Sequence, residues 1–143
     1  MNDKTKIYYN LARAYSYVVD IGAICNKYDN NYEMIISDVV SKHAINMCLV
    51  QIGEHAARIR DIDINLYKDK QLGLFQIKGL RDRITHSYGN VDYSIIKSIL
   101  QEDIPKLKEY LENSIVEDVL NNPYVLYDEE YDVIIQQNHI NTR

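Results

Sequence analysis

The sequence predicts an all-α protein, and three observations support this. Apolar residues recur at the three-and-four spacing of a helix face, alternating strand-like runs between turn signals are largely missing, and only five glycines and two prolines interrupt 143 residues. That length suits one domain with one core. We expect an up-and-down four-helix bundle over residues 1–112, followed by an acidic extension over residues 113–143 that is partly helical or disordered.

The first helix is predicted from Lys4 to Tyr28, with Asn2 or Asp3 as its N-cap. Its apolar side chains fall on one face, at Ile7, Leu11, Ala14, Val18 and Ile21. The polar turn at 29–31 ends it, because short amides and carboxylates bond to their own backbone and compete with the helix.

A second helix is predicted over residues 32–58, with the apolar stripe Ile36, Val40, Ala44 and Met47. A short polar turn separates it from the first helix, which indicates an antiparallel hairpin. Residues 59–70 are charged and poorly periodic. We interpret them as a loop, with room for a short helical turn.

The third predicted helix, residues 71–86, presents Leu72, Phe75, Leu80 and Ile84. The fourth, residues 93–112, begins after Asp92 as a cap and carries the most regular apolar stripe in the chain. Pro105 lies inside this helix. A kink is predicted there rather than a stop, because the stripe continues without a change of phase.

Charge is unevenly distributed along the chain. The net charge is -5, yet residues 1–108 hold 15 of the 16 Lys and Arg and 13 of the 21 acids, for a local charge of +2 against -7 in residues 109–143. The composition therefore allows a polyanionic ligand to bind residues 1–108, but does not require one.

Nothing in the sequence points to a membrane or a metal. There is no apolar run of about 20 residues and no secretory signal, so a cytoplasmic protein without membrane contact is expected. Cys25 and Cys48 lie in apolar helical patterns without metal-ligand spacing, which predicts free thiols in a core and no metal site.

The segment GLRDRITHSYGN, residues 79–90, places Arg81, His86 and Tyr88 at the end of the third helix. Five residues on a regular helix separate Arg81 from His86 by about 140° around the axis and about 7.5 Å along it. Both can act on one substrate if the helix loosens near its end, if the arginine swings across, or if a second copy of the site faces the first.

These residues suit cleavage of a phosphodiester bond in RNA without a metal or other cofactor. A histidine can take a proton from a 2'-hydroxyl or give one to a leaving oxygen near neutral pH, and an arginine offers a fork of donors to phosphate oxygens. Cations also occur at helix C-termini simply because they complement the dipole. Spacing alone leaves both interpretations open.

The same residues resemble a known family. GLRDRITHSY is similar to the Arg-x4-His-x-Tyr signature of the HEPN superfamily and specifically of HepT-like toxins. LVQIGEHAARI, residues 49–59, resembles the second-helix segment of that group, and the start of the last helix at Val91-Asp92 and the DIPKL segment at 103–107 also fit. The resemblance covers about residues 5–112. It implies a HEPN-like bundle whose dimer lines one cleft with two motifs and acts as a metal-independent endoribonuclease.

The resemblance also implies residue roles and partners. His86 would be the acid/base group and Arg81 the phosphate-binding group. Tyr88 would receive AMP from ATP through a minimal, MntA-type nucleotidyltransferase, the antitoxin of a type VII-like toxin–antitoxin pair. Added AMP brings phosphate charge and bulk that repel an RNA backbone. The expected partners are RNA, the antitoxin and a second copy of the chain, with a higher assembly left open.

This sequence departs from the family pattern near the motif. Asp82 stands where asparagine is common, which adds negative charge beside the phosphate site, and His55 stands where alanine is more frequent. Together with Lys78 and Arg83, these two residues are candidates to line the cleft or contact RNA. Solvated surface charge is the competing interpretation for each basic residue.

Two rival functions follow. Asp82 and the acidic extension favour a HEPN-type binding module that no longer cleaves, and instead docks a nucleotidyltransferase or binds nucleotide. A helical dimerisation domain with an accidental motif is the third interpretation.

Overall fold

The computed structural model describes residues 2–86 and 91–121, with side chains described as far as residue 114. Within these residues the chain is helical and contains no strand, so the predicted all-α, HEPN-like bundle is confirmed. The elements are α1 (Asp3–Asn26), α2 (Tyr32–Ser37), α3 (Val39–Ile62), α4 (Ile64–Lys68), α5 (Leu74–His86), α6 (Tyr93–Ser98), a π-helical turn (Ile99–Asp103) and α7 (Ile104–Asn121). None of the helices described is both long and apolar enough to cross a membrane.

Helix α1 begins where the sequence predicts. The Asn2 side chain accepts a hydrogen bond from the Thr5 amide at 2.8 Å, which satisfies one of the free N–H groups of the first turn. The helix ends at Asn26, slightly before the predicted end. Asp29 and Asn30 then adopt positive φ angles of 52° and 59°, a conformation that short polar side chains tolerate.

The single helix predicted over residues 32–58 is wrong, because Asp38 interrupts it. Asp38 has an extended backbone with φ -84° and ψ 113°, and it caps α3 by accepting from the Val40 amide at 3.1 Å. The hydroxyls of Tyr28 and Ser41 also donate to its carboxylate. The hydrogen bond from Tyr28 is the main cause of the lowered pKa of Asp38. The capping side chain is therefore an ionised carboxylate at neutral pH.

The loop predicted for residues 59–70 is wrong at residues 59–62, while the short helical turn expected within it is present as α4. Helix α3 continues to Ile62, and Asp63 then caps α4 by accepting from the amides of Asn65 and Leu66, each at 3.1 Å. Tyr67 of this short helix is buried. The cap therefore orders the short helix, and the buried Tyr67 ring attaches it to the bundle despite its charge.

A π-helical turn precedes Pro105. The Ile104 amide bonds to the Ile99 carbonyl, five residues back, and the proline that follows has no amide hydrogen to give. The apolar stripe of the predicted fourth helix continues across this turn, and Ile104, Leu107 and Leu111 are all buried. The predicted disturbance near Pro105 is thus a widened turn, and the helix resumes as far as Asn121. The division into a domain and an extension at 112/113 stays a prediction, since residues 122–143 lie outside those described.

Helix α3 is the centre of the bundle, because it packs against both α1 and α5, while α7 packs against α1. Its buried face includes Ile45, Leu49, Ile52, Ala56 and Ile59. The stripe predicted for this region is wrong at Val40 and Met47, which are exposed. Periodicity identified a helix here but assigned the wrong face, since the buried residues Ile35 and Ile45 each lie one position from the predicted Ile36 and Ala44.

Candidate active site

The candidate site lies where α3 crosses α5, at Gly53. A Cβ atom built on Gly53 would lie 2.4 Å from Arg81 Cβ and 2.8 Å from Arg81 Cγ. Ordinary contacts between such carbons are longer than 3.4 Å, so only glycine fits at this crossing. Gly53 therefore allows the stem of Arg81 to lie directly on α3.

Two glycines of the bundle are predicted to respond oppositely to alanine. Gly53→Ala should destabilise the fold by roughly 1–3 kcal/mol, because the new methyl group overlaps the Arg81 stem. Gly79→Ala should stabilise it by up to about 1 kcal/mol, because Gly79 is helical and a Cβ there meets no atom within 4 Å. Urea unfolding of both variants measures this. Equal stability of Gly53→Ala and the parent would show that the helices do not cross as described.

Arg81 is held by carboxylates from two helices. Its Nε donates to Glu54 Oε1 at 2.8 Å, and one terminal nitrogen, Nη2, donates to the same oxygen. The other terminal nitrogen, Nη1, donates to Asp82 Oδ1 at 2.8 Å. Lys78 Nζ in turn donates to Asp82 Oδ2. All four side chains keep between a fifth and two fifths of their surface exposed, so solvent or a ligand can reach them.

The electrostatics of this group favour full ionisation of the Arg81–Asp82 pair. Hydrogen bonds to Asp82 and then Glu54 raise the pKa of Arg81. Hydrogen bonds from Lys78 and then Arg81 lower the pKa of Asp82. Two cations and two acidic side chains thus lie together. The carboxylates take three of the five N–H donors of Arg81, so a phosphate that binds the remaining donors also competes with two negative charges.

His86 is exposed and is the last residue of α5. The helix stays α-helical up to this position, so it does not loosen between Arg81 and His86. The Thr85 hydroxyl donates to the carbonyls of Arg81 and Asp82, which adds to the order of this last turn. Within one chain, therefore, the two groups project about 140° apart around the helix.

Tyr88 lies outside the residues that the structure describes, as do Gly89 and Asn90. Its role as the modified tyrosine stays a prediction.

His55 is buried in the interior of the bundle, with 3% of its surface exposed. Its Nδ1 lies 2.9 Å from Asn10 Oδ1, and its ring stacks on Tyr17 at a centroid distance of 6.4 Å. Burial, followed by the nearby Arg58 and Arg13, lowers the pKa of His55 to about 4. The imidazole is neutral at neutral pH and links α3 to α1, so His55 is not among the groups that we propose to touch RNA.

Lys78 and Arg83 occupy different surroundings. Lys78 is engaged with Asp82, whereas Arg83 is exposed on the side of α5 that faces α6 and lines a groove there. Glu54 is the site residue that sequence reasoning missed. Its position directly after Gly53 was a usable signal, since the residue beside a close helix crossing is well placed to reach across it.

The cysteines are buried thiols, as predicted for a core. Burial raises the pKa of Cys48 to about 12. Among the side chains that the structure describes, no three His, Cys, Asp or Glu residues group together in a way that could hold a metal ion.

The chain is similar in sequence to a known protein family and to several named proteins. The model of the family described as "Ribonuclease HepT-like" matches residues 14–114. Three proteins of Methanocaldococcus jannaschii are similar in sequence. The one named "Putative RNase MJ0125" is 32% identical over 88 residues, which cover 61% of this chain and 73% of that protein.

The one named "Putative RNase MJ1216" is 32% identical over 89 residues, covering 62% and 70% of the two chains. The one named "Putative RNase MJ1380" is 29% identical over 86 residues, covering 59% and 75%. No solved structure matches significantly. The family model spans most of the chain, including α3, α5 and the Arg81–Glu54 pair, and the chain therefore belongs to the ribonuclease HepT-like family.

Proposed function

We propose that this protein is the toxin of a type VII-like toxin–antitoxin pair, a cytoplasmic endoribonuclease that uses Arg81 and His86 without a metal ion. Membership in a ribonuclease family supports the reaction class. The single observation that carries the site assignment is the close crossing at Gly53, which fixes Arg81 in place while leaving its guanidinium partly exposed. Such a fixed, charged fork suits the phosphate of an RNA backbone.

The proposed reaction is an internal transfer within the RNA strand. His86 takes the proton of a ribose 2'-hydroxyl, and the oxygen attacks the adjacent phosphorus. The bond to the 5'-oxygen of the next nucleotide breaks, and that oxygen receives a proton from the His86 of a second copy of the chain. The products are a 2',3'-cyclic phosphate and a 5'-hydroxyl. Arg81 donates hydrogen bonds to the non-bridging oxygens, where negative charge accumulates in the transition state.

A homodimer is part of this proposal, because one chain presents the two groups in different directions. Helix α5 is regular as far as His86, and Arg81 is drawn toward α3 by its bonds to Glu54. Of the three ways to bring the groups together, loosening of α5 before His86 has no support in the described geometry. A cleft between two copies would place the Arg81 of each beside a His86.

Neutralisation is proposed to occur at Tyr88, two residues beyond His86. We expect co-expression with a cognate nucleotidyltransferase to leave AMP on this tyrosine, detected by mass spectrometry of the intact protein and its peptides. Tyr88→Phe is the control, since it removes the accepting hydroxyl and little else. Persistent labelling of Tyr88→Phe would place the modification on another residue.

One observation favours the alternative, a HEPN-type module that binds a nucleotidyltransferase or a nucleotide without cleaving RNA. Asp82 bonds directly to the Arg81 guanidinium at 2.8 Å and is itself supported by Lys78. This arrangement takes one N–H donor of Arg81 and places a negative charge beside the proposed phosphate site. An RNA cleavage assay on unmodified, dimeric protein separates the two functions, because the module predicts a folded protein without activity.

A further inference from the structure

A groove of about 500 Å³ lies between α5 and the helix that follows it. Phe75, Gly79 and Arg83 line it from α5, while Ser94, Ser98 and Asp103 line it from α6 and the π-helical turn. Its volume is within the range of small-molecule and cofactor sites. Nothing in the assignment of Arg81, His86 and Tyr88 uses this groove.

The floor and walls of the groove are suited to a flat ring. Gly79 contributes no side chain, and a Cβ built there meets no atom within 4 Å, so the floor is open. Phe75 is 55% exposed, which is unusual for a phenylalanine, and its ring is positioned by a tilted contact with Tyr67 at 5.8 Å. An exposed, fixed aromatic ring beside an open floor is a stacking surface for a nucleobase.

The polar groups of the groove match the remaining parts of a nucleotide. Arg83 supplies an exposed cation for a phosphate. Asp103, the last residue of the π-helical turn, supplies a hydrogen-bond acceptor for the N–H groups on a base edge. Turns of this kind occur often at functional sites, where the extra residue changes the direction of a side chain.

The groove is aligned with the proposed catalytic residue. On α5, Gly79 lies about 40° and His86 about 20° around the axis from Phe75, so the three positions share one face. From Phe75 to His86 this face extends for about 16 Å along the helix. A stacked strand rises about 3.4 Å per nucleotide, so this length would hold several nucleotides.

We propose that this groove is a binding subsite for a nucleotide of single-stranded RNA, next to the position where the strand is cut. The inference rests on the proposed ribonuclease function and adds the part of the substrate that is recognised. Phe75 stacks on the base, Asp103 accepts from its edge, and Arg83 binds the adjoining phosphate. A second copy of the chain is a poorer occupant, since interface cores are depleted in charged residues and this groove contains two.

The test uses a fluorescein-labelled, 12-nucleotide 2'-O-methyl RNA, which the proposed reaction cannot cleave, in an anisotropy titration of the full chain. Phe75→Ala should weaken binding roughly 5- to 150-fold, which corresponds to the loss of one stacked base. Gly79→Leu, which fills the floor, should weaken it similarly. Met47→Ala, which truncates an exposed apolar side chain outside the groove, should bind like the parent.

The outcomes separate this inference from the proposed function. Suppose that the parent cuts RNA, and that the Phe75→Ala and Gly79→Leu variants are folded and bind the strand as tightly as the parent. The proposed subsite is then wrong, and the ribonuclease function stands. If the parent binds the strand through the groove but cuts no RNA, the subsite stands and the ribonuclease is wrong. If either variant instead converts a dimer to a monomer in sedimentation, the groove is an interface between copies and the subsite is overturned.

Discussion

Replacing His86 with alanine is expected to lower the rate of RNA cleavage by roughly 10²- to 10⁴-fold, the usual contribution of a general acid–base group. The fold should be unaffected, because His86 is exposed at the last position of α5. Growth inhibition by the expressed protein should disappear with the activity. Gel analysis of a labelled RNA under single-turnover conditions gives the rate.

The matched control for this variant is His43→Ala. His43 is also an exposed histidine on a helix, but it belongs to α3 and not to the motif. The His43→Ala variant should cleave RNA at the rate of the parent. If His86→Ala retained the parental rate, the acid–base assignment would be wrong, and if both variants lost activity equally, the effect would be one of general stability.

Arg81→Ala is expected to lower the cleavage rate by about 10²- to 10³-fold, as when one donor to a developing negative charge is removed. Arg81→Lys should restore only part of the rate, since an ammonium keeps the charge but cannot reproduce the planar fork. Both variants need a check of folding by circular dichroism, because the Arg81 stem packs on Gly53 and its guanidinium binds Glu54.

Asp82→Asn is the matched variant at the neighbouring position. It removes the negative charge that occupies Arg81 while keeping a side chain of the same shape. The expected result is a cleavage rate equal to or higher than that of the parent, together with tighter RNA binding at low salt. A loss as large as that of Arg81→Ala would mean that Asp82 takes part in the reaction and does not compete with the phosphate.

Much of the fold could be predicted from local signals. The caps at Asn2 and Asp92 and the stripe through Ile104, Leu107 and Leu111 depend on residues close in sequence, and each is present in the structure. The break at Asp38 could not be predicted from periodicity. Its extended backbone is supported by the Tyr28 hydroxyl, which comes from the preceding helix and is a tertiary contact.

The candidate site could also be predicted only in part, because some of its contacts are tertiary. The resemblance to the family motif predicts roles for Arg81 and His86, whereas their spacing alone left two interpretations open. The partners of Arg81 were not predicted, because Glu54 reaches it only through the close crossing of α3 and α5 at Gly53. Phe75 was predicted to belong to the apolar face and is instead 55% exposed, at the edge of the groove beside α6.

The most direct test of the central claim is the incubation of purified, unmodified protein with a labelled single-stranded RNA in the presence of EDTA. A DNA strand of the same sequence and the His86→Ala variant are run beside it. We predict that the parent cuts the RNA to products with 2',3'-cyclic phosphate ends, and that the DNA stays intact because it lacks a 2'-hydroxyl. The His86→Ala variant should cut the RNA at least roughly 10²-fold more slowly than the parent and leave the DNA intact. A folded, dimeric parent that leaves the RNA intact, or a His86→Ala variant that cuts it as fast as the parent, would contradict the account.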